Sequence, residues 1–111
     1  METPTLNDRR QTTLGGSYLE ETLYFFVGDT ATPDNFTGCT VVGGIYRNSK
    51  LVQALDAYVT VVNNPASVSI NVPAAQMVAL GVGVFTVMLW LNTVSGSKQP
   101  LVGYALEQSA P

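Results

Sequence analysis

Chemistry has to be built from the side chains a polypeptide offers, and this one has no histidine and a single cysteine, Cys39, in 111 residues. Without histidine there is no material within one chain for Cys/His zinc centres, Ser-His-Asp triads or Cys-His dyads. Cys39 sits between Gly38 and Thr40 with no base to activate its thiol, so it reads as a small buried hydrophobe at the start of a strand. Asp29, Asp34 and Asn35 share one loop and carry oxygen donors. They lack the dense alternation of acidic positions that calcium loops use, which leaves turn formation and solvation as their role. Glu20 and Glu21 are adjacent, so on a strand they point to opposite faces and cannot act as a paired acid and base. Arg9-Arg10 is too short for a nucleic-acid tract and is balanced by Glu2 and Asp8; it suits acidic groups on a protein neighbour instead. Asn35-Phe36-Thr37 has the form of a glycosylation sequon, but residues 1–16 contain no apolar signal core that would bring it into use. The expectation is a protein that is not an enzyme, with no catalytic, metal-binding or cofactor-binding residues.

The elements that must carry these residues belong to one domain, because 111 residues leave no room for a second core of ordinary size. Five basic against eight acidic residues give a net charge of −3, a poor basis for binding phosphates or anionic lipid, so neither nucleic acid nor membrane is an expected partner. Only 12% of residues are charged, about half the usual share, while 46% are apolar. With no disulfide possible inside the chain, folding in a reducing cytosol is favoured. Charge is unevenly spread: Glu2, Asp8, Arg9 and Arg10 fall in the first ten residues, whereas residues 57–106 hold only Lys98. Residues 1–16 therefore read as a polar N-terminal arm, mobile until something holds it, and residues 17–111 as the folded domain.

From residue 17 onward the pattern is of short strands between turn residues. Residues 18–27, 39–47, 51–55, 57–62, 67–72, 82–91 and 100–107 are apolar, aromatic or β-branched, and Gly, Pro, Asn and Asp separate them. Val68, Ile70 and Val72 alternate with Ser67, Ser69 and Asn71, the period of a strand buried on one face. Asn48-Ser49 and 63–66 read as hairpin turns, and Gly43-Gly44 as a bulge or a close backbone approach. Residues 73–80, with Pro73 first and Gly81 just beyond, predict one short helix crossing between sheets. The fold class that follows is all-β: an antiparallel β-sandwich or jelly-roll-like body with one short helix.

Residues 73–91 run for nineteen positions without a charge, close to the length of a membrane span. Gln76, Gly81, Gly83 and Thr86, and the β-branched content of 82–91, favour a core strand instead. That strand is apolar on both faces: Phe85, Val87, Leu89 and Leu91 on one, and Val84, Met88 and Trp90 around Thr86 on the other. A free sandwich needs only one such face. The second calls for a cover, either the 73–80 segment or another protein. Val84, Met88, Trp90 and Tyr104, together with Arg9 and Arg10 of the arm, are the predicted interface residues. Tyr18, Tyr24, Phe25, Phe26, Tyr46 and Tyr58, with Trp90 and Tyr104, leave open a sugar-stacking platform of the carbohydrate-binding-module kind.

The polar arm, the stretch DNFTGCTVVGGIY (34–46), the stretch VSINVPAAQMVALGVGVFTVMLWL (68–91) and a short closing strand together resemble the capsid decoration, or stapling, proteins of short-tailed enterobacterial bacteriophages. The likeness is one of layout and size over the whole chain. The middle and C-terminal stretches also resemble the β-sandwich domains at the N-termini of phage baseplate proteins, which share a strand, short helix, glycine, strand order. The first resemblance implies a structural virion protein, made in the host cytoplasm, on the outer surface of the capsid. There it would pair with itself as a homodimer and clamp neighbouring major capsid subunits for capsid stabilisation. The second implies a tail or baseplate attachment domain.

Overall fold

The structure is a computed structural model that describes residues 9–28 and 30–111, with all of their side chains except those of residues 19–21. Eight strands and one helix follow one another in the order β1 (Arg9–Thr13), β2 (Tyr18–Tyr24), β3 (Thr40–Arg47), β4 (Lys50–Ala54), β5 (Val59–Asn63), β6 (Ala66–Val72), α1 (Ala74–Leu80), β7 (Gly83–Asn92) and β8 (Lys98–Ser109). They form two sheets, β1-β8-β7-β3-β4 and β2-β6-β5, that close on one hydrophobic core. An all-β sandwich with one short helix is thus what forms. The strand order is that of the immunoglobulin-type Greek key, a three-stranded B-E-D sheet facing G-F-C with one added edge strand. β1 completes it by pairing in parallel with the last strand.

Alternation decides which side chains enter the core. On β6, the middle strand of its sheet, Val68, Ile70 and Val72 are fully buried while Asn71 faces water. On β7, the middle strand of the larger sheet, Phe85, Val87, Leu89 and Leu91 point inward against them. Tyr18 from β2 and Tyr104 from β8 meet between the sheets with their hydroxyl groups 2.6 Å apart, a hydrogen bond that satisfies two buried polar groups at once.

Turn chemistry sets the register. Asn48 and Ser49, with φ of 52° and 65°, form the two-residue β3–β4 turn whose left-handed residues match the twist of the strands. Gly43-Gly44 is a close approach. A Cβ on Gly43, which has φ of 148°, would stand 2.1 Å from the Met88 carbonyl oxygen of β7. A register shift also falls between Ile45 and Tyr46 in the β3–β4 pairing.

The helix has no polar N-cap; Pro73 precedes it and Gly81 closes it, donating its N–H to the Val78 carbonyl. The Met77 carbonyl is served from outside the helix. Gln108 of β8, fully buried, donates from Nε2 to the Met77 oxygen at 2.7 Å and the Gly81 oxygen at 2.8 Å. Helix ends leave such carbonyls orphaned, so this amide acts as a C-cap supplied by a strand 27 residues downstream.

Two expectations change. The second half of the polar arm is not free, since β1 lies along β8 from Arg9↔Ala105 to Thr13↔Ser109. Its sequence shows no strand signal because none of its side chains is buried; backbone pairing alone places it. The closing strand is also longer than 100–107, since its ends are carried by pairing with β7 and β1.

Candidate functional site

The residues predicted to form the interface separate in the structure. Val84, Met88 and Trp90 do share the outer face of β7, opposite the core, as their alternation requires. Val84 is 55% exposed and Met88 half-buried, but Trp90 is only 6% exposed. Its ring is met edge-on by Tyr46 at 6.2 Å, and the Lys98 ammonium lies over it at 5.6 Å. Tyr104 is buried for a different reason: it pairs with Val87, so the pleat directs it inward, where its hydroxyl meets Tyr18. Neither Trp90 nor Tyr104 is on free surface. α1 does not cover the outer face, since its buried residue, Met77, belongs to the core.

Arg9 and Arg10 project to opposite sides of β1. Arg9 is paired inside the chain, its Nη2 donating to Glu107 Oε2 at 2.7 Å, and such a half-exposed pair contributes about 0–1 kcal/mol. Arg10 holds its guanidinium 5.0 Å from the centre of the Tyr104 ring, closing the flank of the core.

The loop that carried the candidate oxygen donors is occupied with its own backbone. Asp34 Oδ1 accepts from the Asn35 N–H at 2.7 Å, and Asn35 Oδ1 from the Thr37 N–H at 2.9 Å, so both side chains make turns. Asp29 and the side chains of Glu20 and Glu21 lie outside the described residues, as do residues 1–8. Among the described residues no group of three or more His, Cys, Asp or Glu stands close enough to hold a metal ion. Cys39 is half-buried and packs against the core.

Apolar surface is concentrated elsewhere. Among the described residues ten large hydrophobic side chains are between 41% and 75% exposed, and they gather at the two ends of the sandwich. At one end the β2–β3 loop, the β5–β6 turn and the β7–β8 hairpin come together. The Phe36 N–H bonds the Asn63 carbonyl at 2.7 Å and the Ala66 N–H the Asp34 carbonyl at 2.9 Å, while Val94 packs against Gly38. This loop end displays Tyr24, Phe26, Val27, Val62 and Val94. Tyr24 and Val62 flank Ser67 in one cross-strand row on the outer face of the smaller sheet. Between these neighbours Ser67 is buried although it faces out.

At the other end stand Val78 of α1, Val82 and Val84 at the start of β7, and Leu51 and Val52 of β4. Leu51 pairs with Tyr46 and lies over Gly44, and Val84 pairs with Glu107, both on the outer face of the larger sheet. Alternation could not find the end clusters, because they are made of residues from separate loops and strand termini. The one sequence signal was Val82 beside Gly81, an apolar residue in a turn where a polar one would serve.

No protein-family model and no curated protein matches this sequence.

Proposed function

We propose that this chain is a structural, non-catalytic docking module of a tailed-phage particle. One observation carries the reading: a chain that completes its own core still exposes, among the described residues, ten large hydrophobic side chains at its ends, where water would otherwise have to solvate them. Covering the exposed half of one such side chain against a neighbour contributes roughly 1 kcal/mol. Several together make a permanent contact with little need of charge, in keeping with the 12% charged residues.

Two placements in the particle follow from the resemblances. In the first the chain decorates the capsid, standing outside the shell as a homodimer and clamping neighbouring major capsid subunits. Each copy that binds only the assembled shell stabilises it by its own binding free energy, about 2.7 kcal/mol at a hundredfold excess over Kd, and many copies act together. In the second the chain is a tail or baseplate attachment domain. The succession β6, α1, Gly81, β7 supports that placement, because it is the strand, short helix, glycine, strand order of those domains.

Immunogold labelling of purified particles with an antibody against this chain tests both. Gold on the head supports decoration and gold at the tail supports attachment. Particles that carry no label, from cells that make the protein, refute the virion reading.

A further inference from the structure

We propose that the free edge of β5 pairs with β5 of a second copy, antiparallel about a two-fold axis, so that the smaller sheets of two copies join into one continuous sheet. This stands whichever placement in the particle holds; it adds a partner, a second copy of this chain, and the strand through which the two meet.

Among the described residues four strands stand at sheet edges, β1 and β4 in the larger sheet and β2 and β5 in the smaller. An open edge is a template for another strand, and proteins blunt it with charge or with a bulge. β1 carries Arg9 and Arg10. β2 breaks register between Glu20 and Leu23, and β4 begins with Lys50 and breaks register against Ile45 and Tyr46. β5 has neither device. It pairs with β6 without interruption from Val59↔Ile70 to Asn63↔Ala66, it holds no charge and no proline, and residues 57–97 are all uncharged.

Hydrogen-bond direction fixes which groups of this edge are open. The Tyr58 carbonyl accepts from the Asn71 N–H at 2.9 Å, so it faces β6. Direction alternates along an antiparallel ladder; Thr60 and Val62 therefore also bond β6, while Val59, Val61 and Asn63 turn their backbone groups away from it. The Phe36 N–H takes the Asn63 carbonyl at 2.7 Å, and the Tyr58 N–H turns back to the Leu55 carbonyl at 2.9 Å. Between these two brackets the N–H and C=O of Val59 and of Val61 have no partner among the described residues.

An identical β5 matches this short edge. Setting Val59 against the second copy's Val61, and Val61 against its Val59, satisfies the N–H and C=O of both residues on both chains, with the axis passing between the two Thr60 residues. The contact closes at two copies instead of running on as a fibre. Side chains agree with the register: it opposes β-branched residues to one another and threonine to threonine, and no charge meets its like across the axis. Val59 and Val61 pack on the core yet are only half-buried, and a second β5 covers them.

The test is sedimentation equilibrium of the whole chain from micromolar to millimolar concentration, with charges placed on the axis. Thr60 is exposed, so Thr60→Lys and Thr60→Glu leave the core intact; each sets two like charges together and weakens the dimer by about tenfold or more. An equal mixture of the two sets opposite charges together and restores a 1:1 dimer. Thr60→Cys in a Cys39→Ser background gives a second readout that adds no charge and carries the test if a charged variant does not fold. Residues directly opposed in a non-hydrogen-bonded pair lie about 4.5 Å apart at Cα, within disulfide reach, so mild oxidation links two chains. Val62→Cys in the same background, which stands opposite Tyr58 and not itself, stays unlinked. Wild type that remains a monomer throughout, or that grows past a dimer, overturns the proposal. So does a dimer that both charged variants leave unchanged, a mixture that stays monomeric, or Val62→Cys linking as readily as Thr60→Cys. A monomer that nevertheless labels particles overturns the edge pairing alone; a dimer absent from particles overturns the virion reading alone.

Discussion

Gln108 is the one side chain whose replacement separates helix capping from plain core packing. It is fully buried, its Nε2 serves two carbonyls of α1, and among the described residues its Oε1 meets no donor. Gln108→Met keeps the length and volume but removes both hydrogen bonds, each worth about 1–1.5 kcal/mol net, and leaves two carbonyls without their donor. Against this, it removes a buried oxygen that had no partner, a gain of about 1 kcal/mol. The balance is a loss of about 2 kcal/mol. Gln108→Glu keeps the shape and turns the donor into an acceptor facing two carbonyl oxygens, so the loss rises to about 4 kcal/mol. Urea unfolding followed by circular dichroism reads both. With a slope of about 1–3 kcal/mol per molar, the methionine variant lowers the midpoint by about 1 M and the glutamate variant by about twice that. Hydrogen exchange in residues 74–81 should quicken in both, ahead of the strands. A methionine variant as stable as wild type, or less stable than the glutamate variant, refutes the capping role.

Three further outcomes follow from the geometry. Gly43→Ala places a methyl group 2.1 Å from the Met88 oxygen at a φ of 148°, and thermal unfolding should show a loss of about 3 kcal/mol or more. Ser49→Gly relieves a left-handed serine in the β3–β4 turn and should raise stability by about 1 kcal/mol in the same assay; a loss would contradict the turn geometry. Tyr18→Phe and Tyr104→Phe in a double-mutant cycle should couple by about 1 kcal/mol, and zero coupling would mean that the two hydroxyls do not depend on each other.

Local pattern was enough wherever a residue's neighbours in sequence are also its neighbours in force. The alternation at Val68, Ile70 and Val72, the Asn48-Ser49 turn, the Pro73 and Gly81 boundaries of α1 and the two faces of β7 were all legible, because period, turn conformation and helix ends are short-range properties. The Gly43-Gly44 pair announced a close approach but not its partner. The reading failed where a strand has no side-chain signature. β1 is a row of polar residues, and only the unpaired edge of β8 makes it a strand.

The exposure expected of the outer-face residues holds at Val84 but not at Trp90 and Tyr104, for the same kind of reason. Apolar surplus could be counted along the chain, but its distribution could not, and the rings assigned to the outside, Trp90 and Tyr104, are covered by Tyr46 and Lys98 in one case and directed inward by the pleat in the other. What the sequence determined by itself was an all-β domain, poor in charge, with no histidine and one thiol, and with more greasy side chains than one core needs. Tertiary structure alone decided where the surplus goes, because burial is set by the strand that lies alongside and by loops brought together from positions tens of residues apart. The ends of the sandwich exist only once both sheets have closed.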